Sequence, residues 1–290
     1  MSWIRRVNDA LHSLETASYH IRASLKTDVA MALRDAAHRF ILPRFDNLDA
    51  TEVGTKSNDT DFVTIADKEA EGWLTPQLSA ILPAPVIGEE AASAEAVVAP
   101  DDLLGYCWTV DPLDGTKNFV KGKPVFCSMV ALLWQGVPIR SWIWNPIDEV
   151  LFYAAMNEGT WRVDSIGETR LQARNRPTTI DQMIGSGNSL GLAEPRKSDV
   201  RMRLRTLRGR QFIGSAGVQA CMIASNEADF MVHGAITPWD HAPVDLICRE
   251  AGGHSATLDR GLSFSVALRA PYMAASSQQG WAALQNALWL

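Results

Sequence analysis

Cysteine is scarce in this chain: there are four in 290 residues, Cys107, Cys127, Cys221 and Cys248, and no two stand at CxxC spacing. That excludes a zinc ribbon, a thioredoxin-type redox motif and a small disulfide-stapled scaffold. Each cysteine directly follows an apolar or aromatic residue, which predicts buried thiols in a reducing compartment. Long apolar runs are missing too. The longest, near Val125 to Trp134, is too short to span a bilayer, and the opening residues MSWIRRVNDALHSLE mix charge with polarity where a signal peptide needs an apolar core. Positive charge is also short, with 27 Lys and Arg against 33 Asp and Glu, a formal net charge of -6. No general attraction to a nucleic acid polymer or an anionic membrane follows from that balance. The reading is a cytoplasmic protein. With 47% hydrophobic and 21% charged residues it has the composition of a globular domain. No internal repeat or low-complexity linker interrupts it, so 1–290 reads as one unit with two packed halves, 1–163 and 164–290.

The periodicity predicts helices at Trp3 to Leu25 and Asp28 to Leu42, the second closed by Pro43, and another beginning near Thr64 to Asp67 with its Glu and Lys residues on a wet face. A short strand at Val86-Ile87 ends at Gly88-Glu89-Glu90, followed by an Ala/Ser/Glu-rich loop to Pro100. Runs at Tyr106 to Val110, Val125 to Leu133, Pro138 to Trp144, Val150 to Ala155 and Trp161 to Val163 read as an antiparallel sheet. Beyond Arg170 the pattern is mixed: a Ser/Gly turn at Gly185 to Ser189, a helix from about Ala216, a strand at Phe230 to Val232, and a helix from near Asp240 that stops at Gly252-Gly253.

The segment that speaks most directly of chemistry is Asp111-Pro112-Leu113-Asp114-Gly115-Thr116-Lys117-Asn118-Phe119, at the end of a predicted strand, where mixed α/β proteins collect ligands. Two aspartates three residues apart across a proline-containing turn can face one point and offer oxygens to a hard cation such as Mg²⁺. Gly115 and Thr116 would present backbone N–H groups beside it, as a phosphate requires. Taken singly, each acidic feature has a plainer explanation. DxxDG can be a polar turn, Glu89-Glu90 a solvated pair, Asp240 an N-cap, and Asp67 a carboxylate complementing a helix dipole.

Together, in their order and spacing, these segments resemble the inositol monophosphatase family from about Val53 to Gly253. The matching parts are Lys56 with Asp67 eleven residues on, Ile87-Gly88-Glu89-Glu90, Asp111 to Phe119, Gly214-Ser215-Ala216, and Pro238 to Gly253. The resemblance implies a layered α/β/α/β/α sandwich with the metals between its halves, and commonly a homodimer, for which Ile139 to Trp144 could supply an interface. It implies two or three Mg²⁺ ions on Glu89, Asp111, the Leu113 carbonyl, Asp114 and Asp240. Asp67 and Thr116 would take the proton of the attacking water, with Glu90 supporting the same network. Gly115, Thr116, Ser215, Ala216 and His233 would contact substrate, a small phosphorylated metabolite.

Two departures stand out. Inositol-specific members carry glutamate seven residues before the last metal-binding aspartate, where this chain has His233, and the stretch from Lys56 to Asp67 lacks a proline common there. The first weakens an inositol assignment. A nucleotide would want an aromatic or apolar base slot, and no segment announces one, so a polyol or sugar phosphate is the expected substrate, with histidinol phosphate second and a fructose bisphosphate or a 3′-phosphoadenosine nucleotide as further alternatives. A non-catalytic metabolite binder is the reading from another class, and it would need no water-activating pair such as Asp67 and Thr116.

Overall fold

The structure is a computed structural model and describes residues 24–55, 62–91, 105–173, 179–207 and 213–290. Residues 3–23 of the helix expected at Trp3 to Leu25, together with Lys56 and most of the loop before Pro100, lie outside those residues. In chain order the elements are α1 (Leu25–Ala36), β1 (Val53–Thr55), β2 (Phe62–Thr64), α2 (Ile65–Ile81), β3 (Val86–Gly88), β4 (Tyr106–Asp114), the single turn α3 (Thr116–Phe119), β5 (Cys127–Trp134), β6 (Val137–Asn145), β7 (Val150–Ala155), β8 (Gly159–Asp164), β9 (Gly167–Leu171), β10 (Gly185–Gly187), α4 (Arg196–Thr206), α5 (Ala216–Ala224), β11 (Phe230–His233), α6 (Pro238–Glu250), β12 (His254–Thr257), β13 (Tyr272–Ala275) and α7 (Gln278–Leu288).

These stack in five layers, α/β/α/β/α. Helices α1 and α2 cover one face of a seven-stranded sheet of order β3-β4-β5-β6-β7-β8-β9, antiparallel except for the β3–β4 pair. Helices α5 and α6 fill the gap to a four-stranded sheet of order β10-β11-β13-β12, whose far face carries α7 with α4 beside it. Strand β5 shows why the large sheet needs cover on both sides. Val130 and Leu132 join the outer core with Leu74 and Trp108, while Met129 and Ala131 join the inner core with Val244 and Ile247. Such a strand reads as a continuous apolar run because neither face meets water.

Four expectations change. The second helix is regular only to Ala36 and then loosens into a π turn at Ala37–Ile41 and a 3₁₀ turn at Leu42–Arg44 that contains Pro43. Gly185 to Gly187 is not a turn but strand β10, parallel to β11; a Cβ on Gly185 would stand 2.4 Å from the Phe230 carbonyl oxygen, so glycine serves close strand approach here. Strand β6 cannot supply a subunit interface at Ile139 to Trp144, because it is central in the sheet and Ile139, Trp142 and Ile143 are fully buried within the chain itself. The face of α2 expected to be wet is not wholly so, since Glu71 is buried. The 163/164 boundary falls inside β8, and the large sheet runs on through β9. All four cysteines are buried free thiols. No helix among the described residues is long and apolar enough to cross a membrane.

Candidate active site

A bulge in β4 aims the two aspartates. In a regular strand, residues three apart point to opposite faces. Here Asp111 pairs with Met129 and Asp114 with Cys127, so three steps on β4 match two on β5, and both aspartates face the layer occupied by α5 and α6. The extra residue sits at Pro112-Leu113, where Ser128 Oγ donates to the Pro112 carbonyl at 2.7 Å and the Leu113 amide donates to Asp111 Oδ1 at 3.0 Å. Gly115 then takes φ +98°, and a Cβ there would lie 2.9 Å from the Val125 carbonyl oxygen. Asn118 ties the turn down by donating to the carbonyls of Val125 and Ile213, each at 2.8 Å.

Glu89 follows β3, its amide donating to the Val110 carbonyl at 3.2 Å, and Asp240 stands in the first turn of α6, where Thr237 Oγ1 donates to it at 2.7 Å. One oxygen from each of Glu89, Asp111 and Asp240 lies within 4.8 Å of the others. Asp111 is only 1% exposed, and burial, with the charges of Glu89, Asp114, Asp240 and Asp67, holds its carboxyl well above the usual range. Three carboxylates drawn together, one of them buried, repel unless a cation compensates them. An all-oxygen set of this kind fits a hard divalent ion.

Asp114 stands beside this trio and not within it. Its oxygens accept from Ser215 Oγ at 2.5 Å, the Ala216 amide at 3.1 Å and the Gly217 amide at 2.7 Å, so it caps the N-terminus of α5. Burial and nearby Asp240 raise it to about 6 despite those donors. Ser215 and Ala216 thus serve Asp114 directly, while also lining a cavity of about 460 Å³ with Asp114, Lys117, His233 and Asp240. In that cavity His233 Nδ1 lies 3.0 Å from His241 Nε2; burial depresses His233 to about 3 and His241 to about 4, leaving both rings neutral at pH 7.

Asp67 is buried in the first turn of α2, where Oδ2 accepts from the amide and hydroxyl of Thr64 at 2.8 and 2.5 Å in a capping box. Its other oxygen, Oδ1, lies 3.0 Å from Thr116 Oγ1, and that hydroxyl is also 3.0 Å from the Leu113 carbonyl. Burial, the largest influence, lifts Asp67 to about 6 against the Thr64 hydrogen bonds. Glu71, expected on the wet face of α2, instead holds the Glu89-Glu90 segment in place: its carboxylate accepts from the amides of Glu90 and Ala91, each at 2.8 Å. A Cβ on Gly88 would stand 2.3 Å from Glu71 Cδ, so only glycine leaves room for this clamp. The signal was available, since Asp67, Glu71, Leu74 and Leu78 fall on one helical face.

The comparisons with known proteins agree with this geometry. A model of the inositol monophosphatase family matches residues 24–289. The histidinol-phosphatase of Mycobacterium tuberculosis is 31% identical over 233 residues, covering 80% of this chain and 86% of that protein. The inositol-1-monophosphatase of Bacillus subtilis is 27% identical over 231 residues, covering 78% and 83%. Among solved structures, the extragenic suppressor protein suhB of Bartonella henselae superposes with TM-score 0.76 at 24% identity, covering 92% of this chain and 99% of that one, a likeness of fold. The chain belongs to the inositol monophosphatase family, metal-dependent phosphatases that hydrolyse small phosphate monoesters.

Proposed function

We propose that this protein uses two or three Mg²⁺ ions to hydrolyse a polyol or sugar phosphate, as a cytoplasmic enzyme that dimerises through a surface other than β6. The observation that carries the metal assignment is the convergence of Glu89, Asp111 and Asp240 oxygens within 4.8 Å. In this reading Asp114 and the Leu113 carbonyl complete the ligand set, and the amides of Gly115 and Thr116 hold the phosphate. Bound Mg²⁺ supplies charge neutralisation for the entering and leaving oxygens and lowers the pKa of the attacking water.

The remaining work falls to the chain's own side chains. Thr116 Oγ1, donating to Asp67 Oδ1 at 3.0 Å, keeps its lone pairs for the proton of the attacking water. Asp67, raised to about 6, is ionised at pH 7 and is a better base than an ordinary carboxylate. Glu90, whose backbone is fixed by Glu71, supports the same water network. The water oxygen bonds to phosphorus as the bond to the alcohol oxygen breaks, and the proton moves toward Thr116 and Asp67. No covalent phospho-enzyme is formed. The retained Asp67–Thr116 pair favours this reading over a metabolite binder.

A second substrate, histidinol phosphate, is favoured by one observation: His233, a neutral ring on the cavity wall, replaces the glutamate of inositol-specific members. Phosphate release by purified protein with Mg²⁺ is expected from at least one of inositol 1-phosphate, histidinol phosphate, fructose 1,6-bisphosphate and 3′-phosphoadenosine 5′-phosphate, falling to background with excess EDTA. Comparing kcat/KM then identifies the substrate class. Release from none of the four, metal present, would put the binder reading in its place.

A further inference from the structure

Among the groups lining the 460 Å³ cavity, His233 is held from behind. It ends β11, and its Nδ1 lies 3.0 Å from Nε2 of the buried His241, whose ring meets it edge-on at 89° and rests in turn against Tyr272. Which nitrogens carry protons is set by a backbone group that cannot change its role. The Thr237 amide donates to His241 Nδ1 at 3.0 Å, so that nitrogen accepts and the ring's proton is on Nε2. A proton on Nδ1 would face the amide hydrogen, and the Thr237 carbonyl it could reach at 3.1 Å already accepts from the His241 amide. The Thr237 hydroxyl, 3.2 Å away, gives its own proton to Asp240. His241 Nε2–H therefore donates to His233 Nδ1, and the proton of His233 is left on Nε2. Two neutral rings result from the hydrogen-bond order alone.

His233 is half-buried on the cavity wall, and Nε2, across the ring from His241, has no protein partner among the described residues and keeps accessible surface. We infer that His233 is a specificity-determining residue whose Nε2–H donates a hydrogen bond to a lone pair on the alcohol portion of the substrate, with Thr237 and His241 as the positioning residues that fix this polarity. The inference rests on the phosphatase reading and narrows its substrate class to alcohols that place an acceptor there: a hydroxyl oxygen, a carbonyl or an unprotonated ring nitrogen. An alcohol that presents only C–H or ammonium groups displaces water from the donor without replacing its bond, and a site built on hydrogen bonds rejects such a substrate.

One experiment reads the protons directly. In wild type with ¹⁵N-labelled histidine and Mg²⁺ present, the scalar coupling across the N–H···N bond identifies the two rings, and protons are expected on Nε2 of both. A proton on Nδ1 of either ring, or no coupled pair, overturns the inference whatever the enzyme hydrolyses. Its companion compares benzyl phosphate at pH 7.5 with the three pyridylmethyl phosphates, which match it in shape and add one lone pair. Wild type is expected to favour at least one pyridylmethyl phosphate about tenfold or more in kcat/KM, chiefly through KM, and His233→Phe, a ring without the donor, to bring that ratio within about twofold of one. Equal turnover of all four by wild type, or a preference that survives the substitution, overturns the inference alone. If the variant does not fold, the coupled pair and the wild-type ratio still decide. Release of phosphate from none of the four would strike at the phosphatase reading, and the proton positions would then decide the polarity of His233.

Discussion

Asp111→Asn is expected to stop phosphate release while making the metal-free protein more stable. Asp111 is the most enclosed of the three converging carboxylates, and its burial among Glu89, Asp114, Asp240 and Asp67 penalises the ionised form. An amide has the same shape, keeps an oxygen for the Leu113 N–H, and removes one buried like charge. It also removes the charge that the cation needs, so kcat should fall by about 10²-fold or more. The sign of the stability change follows from linkage. A carboxyl whose folded pKa is raised binds more protons folded than unfolded, so it favours the fold at low pH, and stability falls as pH rises from the ordinary carboxylate range through the folded value. At pH 7.5 in EDTA, thermal denaturation should therefore place the variant above wild type by roughly 2 °C or more. A lower melting temperature, or retention of over a tenth of wild-type kcat, would contradict the assignment.

Asp114 should behave in the opposite way on stability. Removal of its carboxylate by Asp114→Ala leaves Ser215 Oγ and the Ala216 and Gly217 amides without their buried acceptor and strips the counter-charge from the end of α5. Bonds to a charged acceptor contribute about 1.5–3 kcal/mol each, with incomplete additivity, so a loss of about 3 kcal/mol or more is expected. Asp114→Asn keeps one oxygen and turns the other position into a donor facing donors, a cost offset in part by the loss of a charge that burial disfavours, so it should cost less, about 1–2 kcal/mol, while still reducing turnover by about 10²-fold. Chemical denaturation of the two variants beside Asp111→Asn checks the contrast. Equal stability of Asp114→Ala and wild type would remove the helix clamp from the account.

This double role marks the limit of what the sequence carries. The motif at Asp111 to Phe119 announced a site through its company, because alone it reads as well as a polar turn, and the order and spacing of the other acidic segments made the match specific. It could not announce the bulge at Pro112-Leu113, because the register shift exists only against β5, and it therefore could not show that Asp114 also holds the end of a helix. Glu71 was missed for a related reason: charge argues for solvent, and only the glycine at 88 and the two amides beyond it make burial worthwhile. Trp142 and Ile139 misled in the reverse sense, since an apolar strand reads the same whether a partner subunit or the chain's own helices cover it. The alternation of β5 between two cores likewise has no single-face signature, whereas the end of α6 was legible from Gly252-Gly253, and its start, expected near Asp240, lies at Pro238.

The central claim is that Glu89, Asp111 and Asp240 close on a divalent cation. Crystals grown with Mn²⁺ in place of Mg²⁺ and measured at the manganese absorption edge test it most directly. The account predicts an anomalous peak bonded to oxygens of all three residues, at about 2.0–2.3 Å. Fully occupied Mn²⁺ elsewhere with no density between these three side chains would contradict it.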